Sequence, residues 1–232
     1  MNVGIIGANG NIGRRIVAEA LARGHHVTAF TRSKTAIPMD GDKVIWKTMN
    51  VLDAASIAAA TGGLDVLISS YGPGNAFENL QDTLEQSISN PQTYPLAARA
   101  LLKALEQYPS MRLIVVGGAG SLEIASGLQA VDAPDMEARL ERVGIPAAYK
   151  VAVLAHRDAL NEYRQSNRNW TYLSPPAEIR PGERTGRFRL GENQMLFDAE
   201  GRSRISYEDF AVALMDEVVL PRHLQRRFTV AY

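Results

Sequence analysis

Apolar positions along the chain follow two periods that take turns. Short runs rich in β-branched residues recur at 3–6, 26–30, 44–48, 64–69, 112–116, 170–173 and 227–230, the length and composition of strands. Between most of them the spacing lengthens to that of a helix, at 13–23, 54–60, 93–108, 148–163 and 207–219. Over 93–108, Leu96, Ala97, Ala100, Leu101, Ala104 and Leu105 share one face, as on a helix that packs against a sheet. The run 64–69 is apolar almost throughout, the pattern of a parallel strand covered on both sides. Strands alternating with helices predict a doubly wound parallel α/β sheet, the Rossmann architecture, in a single domain over 1–232.

Two stretches break the alternation. Residues 75–92 are polar and carry no clear period, so a flap and an oligomer contact both remain open for them. From Ala177 to about 205, turn residues bracket short alternating segments, which predicts a small hairpin and loops capping the carboxyl-end cleft. Arg180, Arg184, Arg187 and Arg189 lie there, read more simply as exposed charges than as an anion site. Ser206 precedes the last helix as its cap, with Asp209 in the capping-box position.

Composition narrows the function. Lys and Arg together number 25, as do Asp and Glu, so no global basic field points to nucleic acid. With no cysteine, disulfides, thiol catalysis and thiolate metal sites are excluded, and no metal is expected. A strand begins within a few residues of Met1 and no apolar run nears the roughly 20 residues of a membrane span. A cytoplasmic protein without a membrane partner, monomeric or homodimeric, is therefore expected.

The chemistry concentrates in the first turn, Gly7-Ala8-Asn9-Gly10-Asn11-Ile12-Gly13. Glycine alone adopts positive φ cheaply and lets a ligand approach the backbone. The N–H groups that open the following helix, with its dipole, then suit a pyrophosphate, and Gly13 permits close helix–strand packing. Gly7, Asn9, Gly10, Asn11 and Ile12 are the expected cradle. Just past the second strand stands Arg32, with Ser33 and Lys34 beside it. A cation in this place accepts a ribose 2′-phosphate where a carboxylate would favour NAD, so NADP(H) is favoured over NAD(H). The fourth strand ends in Ser69-Ser70-Tyr71-Gly72 and the fifth in Gly117-Gly118; carboxyl ends of central strands meet the ligand in such sheets.

The spacing Gly-x-x-Gly-x-x-Gly resembles that of the atypical and extended short-chain dehydrogenases/reductases. Within them the chain is similar to the NAD(P)H-binding group that includes NmrA-like proteins, biliverdin reductase B-type flavin reductases and NADH-flavin reductases. The stretch Ile205-Ser206-Tyr207-Glu208-Asp209-Phe210-Ala211 extends the resemblance to the C-terminal region. The resemblance implies that Leu52 and Asp53 contact the adenine, though Asp53 also suits the cap of the helix that follows. It implies that Ser121 holds a substrate carbonyl, that Lys150 stands near the family's lysine position, and that Pro175 lies against the nicotinamide. His156, on the same helix as Lys150, is a further candidate for the pocket.

One departure matters. Most hydride-transferring members carry Tyr-x-x-x-Lys, which places a phenol and an ammonium on one helical face. No tyrosine of this chain has a lysine four residues on; Tyr149 is followed directly by Lys150. The expected activity is therefore an NAD(P)H-dependent reductase passing hydride to a flat small-molecule acceptor such as a flavin or quinone. Such an acceptor needs stacking more than a dedicated acid. The alternative is an NmrA-like redox sensor that binds NADP(H) without turnover. A nucleotide-sugar epimerase is disfavoured, because such members keep the tyrosine.

Overall fold

The computed structural model describes residues 1–32, 43–74 and 79–232; Ser33 and Lys34 lie outside them. In chain order the elements are β1 (Asn2–Ile6), α1 (Gly13–Ala22), β2 (His26–Thr31), β3 (Val44–Thr48), α2 (Ala54–Thr61), β4 (Val66–Ser69), α3 (Leu80–Ser89), α4 (Thr93–Ala104) and β5 (Arg112–Val116). Next come β6 (Glu123–Ala125), β7 (Leu128–Gln129), α5 (Met136–Arg142), α6 (Lys150–Arg164), β8 (Trp170–Ser174), β9 (Glu178–Arg180), β10 (Arg189–Gly191), β11 (Arg204–Ser206), α7 (Tyr207–Val219) and β12 (Arg226–Ala231). Eight strands form one sheet in the order β10-β12-β8-β5-β4-β1-β2-β3. All neighbours in it run parallel except β10, which is antiparallel to β12 at one edge.

Successive residues of a strand face opposite sides, and here both sides are covered. Ile6, Phe30, Leu67, Leu113 and Tyr172 face α2, α4 and α6. Their strand neighbours Ile5, Ala29, Ile68, Ile114 and Leu173 face α1 and α7. The near-continuous apolar runs read from the sequence have this origin.

The capping segment differs from its expectation. Its strands do not pair with each other as a hairpin. β9 pairs in parallel with β11, and β10 joins the main sheet. The reason lies in remote polar partners. Buried Asp209 accepts from the Thr185 and Gly186 backbone N–H groups at 2.8 and 2.7 Å and from the Thr185 hydroxyl at 2.6 Å. Arg184 reaches Glu19 on α1 at 2.7 Å. Loop 181–188 is thereby fastened to α1 and α7.

The polar stretch 75–92 contains α3, capped by Asn79, whose side chain accepts from the N–H groups of Gln81 and Asp82. Residues 75–78 lie outside the described ones. This helix packs on α6, at the carboxyl end of the sheet.

Candidate functional site

At the β1–α1 turn each glycine has its own requirement. Gly7 has φ +73°, and a Cβ there would stand 2.2 Å from the Ser70 carbonyl oxygen. A Cβ on Gly13 would stand 2.0 Å from the Gly7 carbonyl oxygen. Both are glycine because backbone meets backbone. Gly10 is different: its Cβ would find only the Gly7 oxygen, at 3.2 Å, and otherwise open space. No side chain caps the N-terminus of α1, where Ile12 is the cap residue. An open glycine facing an uncapped helix start is the arrangement that takes a pyrophosphate, through backbone N–H groups and the helix dipole.

The turn forms one wall of a cleft of about 660 Å³ that crosses the carboxyl ends of β3, β2, β1, β4 and β5, within the usual size of a small-molecule site. Gly7, Asn9, Gly10, Asn11 and Ile12 line it. So do Arg32, Ser70, Tyr71, Gly72, Gly117 and His156. Arg32 donates to the Gly74 carbonyl at 2.8 Å, which fixes a cation at the β2 end. Gly117 is glycine for packing: a Cβ there would collide with the Tyr172 ring at 1.9 Å.

Other expected residues lie elsewhere. Ser121 is buried behind the cleft, its hydroxyl accepting from the Arg227 guanidinium at 2.9 Å. Burial lowers that guanidinium's pKa to about 10, and the serine is taken up in satisfying it. Lys150 points away and pairs with Glu137 at 3.0 Å. Asp53 caps α2 by accepting from the Ala55 N–H at 3.0 Å, and Leu52 is exposed beside it. At that end the lining comes from Met49 and Val51. Ser69 is buried within its strand and Pro175 beyond the end of β8. Ile179 and Tyr207 supply the lining on that side.

The residues that sequence reasoning missed are aromatic. Tyr94, at the start of α4, and Tyr149, just before α6, both line the cleft. Tyr149 stands seven residues before His156, two helical turns, so the two share a face. That spacing is present in the sequence, outside the Tyr-x-x-x-Lys pattern. The Tyr94 and His156 rings lie 3.9 Å apart between centroids at 39°, and Tyr71 meets Tyr94 edge-on at 6.1 Å. The Tyr94 hydroxyl lies 3.0 Å from the Ser87 hydroxyl of α3.

Burial sets the charge state of this group. Desolvation lowers the His156 pKa to about 4, so its ring is neutral at pH 7. It raises the pKa of both Tyr94 and Tyr149 from the ordinary phenol value, so both keep their protons. Among the described lining residues, Arg32 is the one formal charge. The described residues include no cluster of His, Cys, Asp and Glu able to hold a metal, and no helix long and apolar enough to cross a membrane.

Sheet order, the glycine turn and the cleft across the strand ends define a Rossmann domain of the dinucleotide-binding kind. The chain belongs to the NAD(P)H-binding family, whose model matches residues 7–218. Three solved structures align with the whole chain. A Burkholderia pseudomallei protein named "putative exported protein" is 40% identical, with 100% of both chains covered and a TM-score of 0.79. A "putative epimerase" from Bacteroides thetaiotaomicron is 32% identical, with 96% of its own chain covered and a TM-score of 0.81. A "putative NADH-flavin reductase" from Streptococcus pneumoniae is 29% identical, with 99% covered and a TM-score of 0.79.

Proposed function

We propose that the protein is a reductase that uses NADP(H) in preference to NAD(H) and passes hydride to a flat acceptor such as a flavin or quinone. The observation that carries this reading is the continuity of the cleft. It runs from the cradle at Gly10, past Arg32 at the β2 end, to the tyrosines and His156 beyond β5. When bound, the reduced nicotinamide supplies the hydride.

The chain's own residues do the positioning. The backbone at Asn11 and Ile12 and the α1 dipole hold the pyrophosphate, and Arg32 meets the 2′-phosphate. Tyr71, Tyr94 and His156 present an apolar, ring-lined wall on which a planar acceptor stacks. Lys150 is paired to Glu137 rather than set beside a phenol as the ammonium that would make it a strong acid. An acceptor that gains stability by spreading charge over a ring needs none. The name of the Streptococcus relative supports the same class of reaction.

The test is an anaerobic stopped-flow mix of the protein and NADPH with FMN, FAD and a simple quinone, following absorbance of the reduced nicotinamide. Consumption above the protein-free rate is expected. Tight NADPH binding on the same sample, with no consumption by any acceptor, would replace the reductase by a redox sensor.

A further inference from the structure

We propose that Arg32 makes the acceptor wall depend on the cofactor: a 2′-phosphate seated on its guanidinium fixes the turn Tyr71-Gly72-Pro73-Gly74, so that a planar acceptor binds more tightly beside NADP(H) than beside NAD(H). This rests on the reductase reading and adds a regulation of that same site, with Arg32 as a positioning residue for an acceptor at the other end of the cleft.

The first observation is how the turn is held, for its two ends are fastened differently. Ser70, just before it, donates its backbone N–H to the Ile6 carbonyl at 3.0 Å, and its own carbonyl lies so near Gly7 that a Cβ there would stand 2.2 Å from it. That end belongs to the sheet and the glycine cradle. Gly74, at the other end, has φ +80°, and its carbonyl accepts from the Arg32 guanidinium at 2.8 Å. Arg32 is exposed, and a hydrogen bond from an exposed side chain to a neutral carbonyl holds weakly, because water competes for both groups.

The second observation is what the turn carries. Tyr71 lines the cleft and meets Tyr94 edge-on at 6.1 Å. Gly74 is backed against α3: a Cβ on it would stand 2.7 Å from the Thr83 Cα. Leu80 and Thr83 of this helix line the cleft as well, and Ser87, one turn beyond Thr83, lies 3.0 Å from the Tyr94 hydroxyl. The residue that Arg32 holds thus lies against the same helix that supports the ring wall.

A guanidinium has N–H donors set in a rigid fork, and Gly74 takes one of them. The others can pair with a phosphate while that bond is kept. A 2′-phosphate then fixes the guanidinium, the guanidinium fixes Gly74, and Tyr71 is set before the acceptor arrives. Ordering a wall in advance raises affinity, because the acceptor no longer bears that cost on binding. NAD(H) has a ribose hydroxyl in that place and leaves the guanidinium to water. The coupling is reciprocal, so the acceptor tightens binding of the phosphorylated cofactor by the same factor.

The test measures the Kd of riboflavin and of 1,4-naphthoquinone by fluorescence, with the protein saturated by NADP+ or by NAD+, in wild type and Arg32→Lys. Wild type is expected to bind at least one of the two compounds roughly 5- to 10-fold more tightly beside NADP+. Lysine keeps a cation for the 2′-phosphate but has no fork to bridge it to Gly74. Arg32→Lys is therefore expected to keep a preference for NADP+ over NAD+, while the acceptor Kd becomes the same beside both. Adenosine 2′,5′-bisphosphate, which fills only the adenosine half of the cleft, is expected to tighten the acceptor relative to adenosine 5′-monophosphate, an effect that contact with a nicotinamide cannot produce. Equal acceptor affinity beside NADP+ and NAD+ in wild type, or weaker affinity beside NADP+, would overturn the link, as would binding of neither compound. Coupling retained in full by Arg32→Lys would overturn the role of the fork. Consumption of NADPH by neither compound would remove the reductase reading, and the binding titration would still decide the link.

Discussion

A glycine that resists replacement because of the fold differs from one that resists it because of a ligand, and the first turn contains both kinds. Gly7 and Gly13 are pressed against backbone, at 2.2 and 2.0 Å for an added Cβ, so a side chain at either costs stability. Gly10 opens on the cleft. Gly10→Val should therefore melt within a few degrees of wild type yet lose NADPH binding in a calorimetric titration. Retained affinity would remove the pyrophosphate from this turn. Arg32 allows a sharper test, because NADPH and NADH differ only in the 2′-phosphate. Loss of a charge-assisted hydrogen bond costs about 1.5–3 kcal/mol. Arg32→Ala should then weaken NADPH roughly 10- to 100-fold and NADH by much less. Equal losses for the two would assign the arginine to shaping the Gly74 turn that it already contacts.

Elements owe their placement to ion pairs that no local pattern announces. Helix α1 is fastened to loop 181–188 through Glu19, 6% exposed, which Arg184 and Arg23 both reach at 2.7 Å. Chiefly because of Arg184, the Glu19 pKa falls from 4.5 to about 2. The folded state thus binds this proton less readily than the unfolded chain. The pairing stabilises fully above pH 4.5 and fades as pH falls from 4.5 towards 2. Discounted for the exposure of Arg184, it contributes about 2 kcal/mol at pH 7. Glu19→Gln should lower Tm at pH 7 by about 5 °C, and the gap to wild type should close across that acid range in a series of melts. A gap constant with pH would mean that shape, rather than charge, holds the loop. Helix α6 shows where the sequence could be read and where it could not. Its existence and place before β8 follow from period alone. Lys150 and His156 were visible as polar residues on it, but their directions were not. Glu137, which turns the lysine outward, lies 13 residues away on another helix. Ser121 escaped for the same reason, because the arginine that claims it is 106 residues distant. Tyr149 is the opposite case: its spacing from His156, two helical turns along one face, is legible in the sequence.

At the scale of the whole molecule, the two-sided sheet was the most legible feature, since a strand such as β4, Val66-Leu67-Ile68-Ser69, is apolar at successive positions because helices cover both faces. A cleft at the carboxyl ends of the strands belongs to that architecture. The opposite end of the sheet was illegible, because it depends on charges inside the core. There Arg112 at the start of β5, 5% exposed, pairs with Glu217 of α7, 3% exposed. Glu217 also accepts from the backbone N–H groups of Arg222 and His223, at 3.0 Å each, and lies 2.8 Å from the His223 ring. Thr171 of β8 accepts from Arg112 at 2.9 Å and donates to the His223 carbonyl at 2.8 Å. One cluster thus ties α7 and the chain after it to two central strands. Removing one member of a buried pair leaves an uncompensated charge and costs about 3–5 kcal/mol, whereas replacing both by apolar residues of similar volume is often neutral or better. Glu217→Gln should therefore lower Tm by about 10 °C or more in calorimetry. Arg112→Met combined with Glu217→Leu should recover most of that loss, and NADPH affinity should stay unchanged in both, since the cluster lies away from the cleft. A double variant as unstable as the single one would show that the backbone hydrogen bonds to Glu217, and not its charge, carry the stabilisation. The ordering of residues 222–223 would then be the element on which α7 depends.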